Sequence, residues 1–146
     1  MKVTAAEQIR EGIKEAKRGN TNLGRILLQN FACCNDIPEA RAWYGYCLAK
    51  DHRDFGTGIR MCLEVLNNNP KSADCYLALS RIYLVAGRRK KAIEVLHQGA
   101  RIDSNQEILK LMKSIGIRKP QVFSRLGRDH VFNVLCGRLL AKMGLR

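Results

Sequence analysis

The sequence predicts an all-α chain, a solenoid of three antiparallel helix pairs with a capping helix and a C-terminal amphipathic helix. Two observations carry this. Gly24, Gly58 and Ala92 stand 34 residues apart in both intervals, and each opens a stretch that reads as a helix, Gly24-Arg-Ile-Leu-Leu, Gly58-Ile-Arg-Met-Cys and Ala92-Ile-Glu-Val-Leu. A fixed period of this size means stacked copies of one supersecondary unit, and such stacks usually bind something along a shared surface. Within a unit, apolar residues recur at helical spacing, as Cys75, Leu79, Ile82 and Ala86 do.

The first unit, residues 5–38, has Gly12, Gly24, Leu28 and Phe31 in place, but Gln8, Glu11 and Glu15 stand where large apolar residues are expected. Terminal repeats turn an outer face to water, so these polar residues suit an N-terminal cap. In the second unit, 39–72, Gly58-x-x-x-Cys62 and Pro70 keep register, whereas Tyr44, Gly45 and Leu48 fit when read one residue early. That implies a one-residue insertion near Asp51-His52. The third unit, 73–106, ends its first helix at Gly87 and gives its second a narrow face through Ala92, Leu96 and Gly99. Ser104-x-x-Glu107 reads as a capping box for a helix over about 105–115, on which Ile108, Leu111, Met112 and Ile115 form a stripe closed by Gly116. It should cover the last repeat. Pro120 then breaks helical continuity, and the repeat domain is placed at 1–117. In the extension, 118–146, Asp129 can cap a helix with Phe132, Leu135, Cys136, Leu139, Leu140 and Met143 on one face, His130 and Arg138 on the other. Three destinations stay open for it: its own solenoid, a partner chain, or a membrane surface.

The run Tyr76-x-x-Leu79-Ser80-x-x-Tyr83, followed by Ala92-x-x-x-Leu96, resembles the tetratricopeptide repeat. The resemblance implies a right-handed α-solenoid in which the first helix of each pair lines a concave groove. Carried onto this sequence, that role falls to Ile9, Ile13 and Lys17, to Ala42, Trp43, Tyr46 and Lys50, and to Leu77, Arg81 and Leu84. This mixture, apolar with a basic fringe, suits an amphipathic helix or extended segment bearing acidic residues. For Ile13, Ala42 and Leu77 packing between repeats is an equal alternative. Trp43 lies two residues beyond Arg41, which takes the usual large aromatic position. It reads either as a hot spot supported by Tyr46 or as the filling of a core gap left by the insertion. One subclass of the family grips a partner's C-terminal carboxylate with Lys, Asn and Arg; Ile9, Ile13, Trp43, Asp74 and Ala78 stand at those places here, so the clamp is absent.

Charge adds a constraint: 26 Lys and Arg against 13 Asp and Glu give the 146 residues a net +13, which draws the protein to acidic surfaces. Residues 118–146 carry seven of the basic residues against Asp129 alone. Met1 to Gly19 has no apolar core of a secretory signal, and no stretch nears the roughly 20 apolar residues of a membrane span. A cytoplasmic setting is therefore expected, with six cysteines kept as thiols. Cys47, Cys62 and Cys75 fall on core positions, the adjacent Cys33 and Cys34 read as structural, and no C-x-x-C pair occurs. Arg88-Arg89-Lys90-Lys91 sits at a turn without a nucleic-acid recognition motif. His52, His97 and His130 are scattered, and Gly56-Thr57-Gly58 lacks the third glycine of a phosphate loop.

No catalytic residue, metal or cofactor is expected. The sequence points to a non-enzymatic interaction module, an adaptor, scaffold or chaperone-like protein that holds a segment of another protein in its groove. The alternative places function in the tail, whose face Phe132, Leu135, Leu139, Leu140 and Met143 would build a homo-oligomer or lie on an anionic membrane.

Overall fold

Helices account for almost all of the described chain: α1 Ala5–Arg18, α2 Thr21–Leu28, α3 Pro38–Asp51, α4 Phe55–Asn68, α5 Ala73–Val85, α6 Arg89–Ile102 and α7 Gln106–Ser114. The computed structural model describes residues 4–32, 37–103, 105–116 and 135–136, with no strand among them. The chain divides into two units, Met1–Ile115 and Gly116–Arg146. In the first, α1/α2, α3/α4 and α5/α6 form antiparallel pairs that stack through α3 and α5 as an α-solenoid.

Each helix starts and stops for a local reason. Thr4 caps α1 in a reciprocal box with Glu7, and Gly19, at φ 99°, ends the helix in the left-handed region that glycine enters without a Cβ clash. Pro38 opens α3 at a position where its missing N–H costs nothing. Gly87, at φ 72°, closes α5 while the Arg88 N–H reaches back to the Tyr83 carbonyl at 2.8 Å. The α7 cap is Asn105, whose side chain accepts from the Glu107 N–H, in place of the Ser104 box expected from sequence; Ser104 lies outside the described residues.

Small residues at the 34-residue interval are where paired helices touch. A Cβ on Gly24 would lie 3.1 Å from the Gly12 carbonyl, and one on Gly58 only 2.5 Å from that of Gly45. Ala92 is fully buried in the third pair. The contact joins residues 12 apart in the first pair and 13 apart in the second, so the second hairpin holds one residue more. That residue is accommodated in the three-residue turn His52–Asp54, where Arg53 takes φ 58°, against the two residues Gly19–Asn20 after α1.

The first pair corrects one reading. Glu11 faces water, but Glu15 is buried and Gln8 half-buried. The Gln8 amide donates to the Leu27 carbonyl at 3.2 Å, while Asn20 and Arg18 donate to Glu15 and hold its carboxyl below its ordinary range. They fasten α1 to α2 and its outgoing turn instead of meeting solvent. Successive pairs are also tied by polar contacts, Thr21 to Asp51 and Ser72 to Glu39, while Arg41 to Glu64 joins α3 to α4 within the second pair.

Cys47, Cys62 and Cys75 are free and buried among these helices. Burial pushes the Cys47 and Cys75 thiols up to about 12, and Cys62 higher still. Thiols so far from ionising are packing atoms rather than nucleophiles. Cys33 and Cys34 lie outside the described residues, as do Phe132, Leu139, Leu140 and Met143. Of the face expected in the tail, Leu135 is described and is 63% exposed.

Candidate functional site

Inner helices α3 and α5 are flanked on several sides, so their side chains are mostly sealed. Trp43 is 0% exposed and Tyr46 5%, their rings meeting edge to face at 5.6 Å. The Trp43 indole N–H donates to Asp74 Oδ2 at 2.8 Å, the partner such a buried donor requires. Above the ring stand two cations: Arg81 at 5.2 Å from its centre and Lys17 at 5.4 Å. Cations over an indole face are attracted by its quadrupole, more strongly where water is excluded.

Lys17 is the hub of the arrangement. Its Nζ lies 2.8 Å from Asp74 Oδ1 and 2.8 Å from Glu107 Oε2, joining α1 to both α5 and α7. Burial opposes the Lys17 ammonium, yet the two carboxylates outweigh it and leave its pKa above the ordinary value. Arg81 donates to the Lys17 carbonyl at 2.7 Å, a cation at the carbonyl end of α1 where the helix dipole favours it.

Over this floor runs a groove of about 710 Å³ between α1 and α7, within the first unit. Arg10, Ile13, Lys14, Lys17 and Arg18 form one wall, Glu107, Lys110, Leu111 and Ser114 the other, and Arg81 reaches in from α5. Six of these ten side chains are cationic and one is acidic. The surplus is partly balanced nearby, since Lys14 pairs with Glu11 and Arg18 with Glu15, each at 2.9 Å.

The residues expected at the groove therefore separate into four sets. Ile13, Lys17 and Arg81 line it. Ala42, Trp43, Tyr46 and Leu77 are buried: the Trp43 pair forms the floor beneath the cations, and Ala42 and Leu77 pack between helices. The reading of Trp43 as a contacting hot spot is corrected on this ground, because its whole surface is already covered. Ile9 and Leu84 are half-buried away from the groove lining. Lys50 donates to the Gly19 carbonyl at 3.0 Å at the end of α1 instead of facing a ligand.

Sequence reasoning missed the far wall, because α7 was read only as a cover. Its Glu107, Lys110 and Ser114 recur at i, i+3 and i+7, the spacing of one helix face. On α1, Arg10, Lys14 and Arg18 run at i, i+4 and i+8, a basic row whose spacing is the signal in the sequence for the near wall. Among the described residues there is no group of three or more metal-ligating side chains, and no helix is long and apolar enough to cross a membrane.

Stacked helical hairpins with a lined concave face define a helical-repeat scaffold, a class built to present surface rather than to perform chemistry. Residues 49–115 match the family model of the tetratricopeptide repeat, from the end of α3 through α7. Such repeats generally mediate protein–protein interaction. No curated protein and no solved structure gives a significant match to the chain.

Proposed function

We propose that the α1–α7 groove holds an acidic amphipathic helix of a partner protein, and that this chain acts as a non-enzymatic adaptor. The carrying observation is the pair of facing walls, four cations beside Ile13 on α1 and Lys110 beside Leu111 on α7. A helix laid between them would set an apolar ridge on Ile13 and Leu111 and carboxylates toward both walls. The groove's size falls within the ordinary range of ligand sites, and the Lys17–Asp74–Trp43 floor holds its shape before the ligand arrives. Pre-organisation of this kind lowers the cost of binding.

The test uses a fluorescein-labelled 15-residue helical peptide with leucines on one face and glutamates on both flanks. Charge reversal on the two walls, Lys14→Glu with Lys110→Glu, is expected to weaken its binding more than tenfold, or about 1.4 kcal/mol, by anisotropy. Helical content should stay unchanged, since both side chains are exposed or on the groove edge. Arg60→Glu with Lys71→Glu, an equal charge change on other exposed positions, should leave affinity within a factor of two or so after salt correction. Equal losses in both pairs would reduce the groove to a non-specific net-charge effect.

A further inference from the structure

Lys17 contacts two carboxylates of different standing. Asp74 is built in: its Oδ1 meets Lys17, its Oδ2 accepts from the buried Trp43, and its side chain is 21% exposed. Glu107 is held more loosely, with a side chain 44% exposed and one oxygen on Lys17. It is also the sole acid among the groove-lining residues. Its helix is anchored elsewhere. Ile108 of α7 is fully buried and packs where Gly99 of α6 leaves space, while Arg89 donates to the Ile115 carbonyl at the helix end. Separating Glu107 from Lys17 therefore leaves the seat of α7 on α6 intact.

We infer that Glu107 is an internal stand-in for the ligand's carboxylate, occupying Lys17 in the free chain and giving way when a partner's acidic side chain enters the groove. The inference rests on the groove reading above and names its regulation. The Glu107 Oε2 is covered where it meets Lys17 but the rest of its side chain is open to water, so the pair is only partly desolvated, which suits a contact made to be exchanged rather than a strut. The exchange also conserves charge at Lys17: one carboxylate leaves as another arrives, so the ammonium over Trp43 is never left with Asp74 alone. Intramolecular competition lowers the apparent affinity by the fraction of chains whose site is open, so removing the competitor should restore it. A weakly acidic segment would fail to displace Glu107, and the contact thereby selects for ligands with well-placed carboxylates.

Two variants of the full chain test this with the same acidic peptide. Glu107→Gln removes the charge; Glu107→Asp keeps it but falls one methylene short of Lys17. Displacement predicts that both tighten binding, by about fivefold. If Glu107 acted only by repelling the ligand through space, the aspartate variant would bind as the wild type does, and the inference would be overturned. It would equally be overturned by unchanged or weaker binding of the glutamine variant. Should the peptide bind none of the three proteins, or bind the Lys14→Glu, Lys110→Glu chain as well as the wild type, the groove reading itself would fall and take this inference with it. Circular dichroism of all three proteins establishes that they are equally folded.

Discussion

Trp43→Ala is expected to destabilise the protein by about 4 kcal/mol in urea unfolding followed by circular dichroism. The size follows from where the ring lies. Trp43 is wholly buried, packs on Tyr46, receives Lys17 and Arg81 over its face, and donates to Asp74. Removing it opens a cavity under the groove and also strips Asp74 of a donor, so the transfer, cavity and hydrogen-bond costs add. Trp43→Phe keeps most of the ring and loses the N–H, and should cost roughly 2 kcal/mol. A loss of less than about 1 kcal/mol for the alanine variant, coupled with impaired peptide binding, would restore Trp43 to the role of an exposed contact.

Gly58→Ala should be destabilising by about 2 kcal/mol, against the sign that helix propensity alone demands. In the first turn of α4 an alanine would ordinarily gain up to about 1 kcal/mol over glycine. Here its Cβ would stand 2.5 Å from the Gly45 carbonyl oxygen and 3.2 Å from the Ala49 Cβ. The first of these is backbone and cannot rotate aside, so α3 and α4 must separate. Gly56, two residues earlier and exposed, supplies the internal comparison. Its Cβ would meet nothing nearer than an Asp54 oxygen at 3.9 Å, and Gly56→Ala should stabilise by roughly 0.5 kcal/mol. Opposite signs at two glycines of one helix are the signature of a close helix contact. Matching signs would mean that the 34-residue interval marks something other than that contact.

The stacked hairpins were legible because the close helix contacts repeat and only small residues satisfy them. Gly24, Gly58 and Ala92 recur for that reason, and the shift at Gly45 betrayed the additional residue taken up around Arg53. The direction of Trp43 was not legible. A helix covered on several sides shows no single apolar stripe, and in α3 residues 40, 42, 43, 45, 46, 47 and 49 are all buried, so periodicity names no face. The fate of Glu15 was hidden similarly, since its partners Asn20 and Arg18 reveal themselves only once α1 turns at Gly19. The groove was half legible. Ile13, Lys17 and Arg81 follow from which helix of each pair faces inward, but the opposing wall depends on how far the stack curves before α7 begins, and a one-dimensional pattern does not encode that. The bridge from Lys17 to both Asp74 and Glu107 spans 57 and 90 residues of sequence, with no spacing rule to announce it.

Photo-cross-linking tests the central claim most directly. The acidic helical peptide, carrying a diazirine on its apolar face, is bound to the intact chain, irradiated, and the labelled residues are located by mass spectrometry. Label on Ala5–Arg18 and Gln106–Ser114, centred on Ile13 and Leu111 and abolished by Lys14→Glu with Lys110→Glu, is the predicted result. The convex helices offer the competing surface through exposed Leu23, Ile26 and Leu63, and label concentrated there would contradict the assignment of the groove.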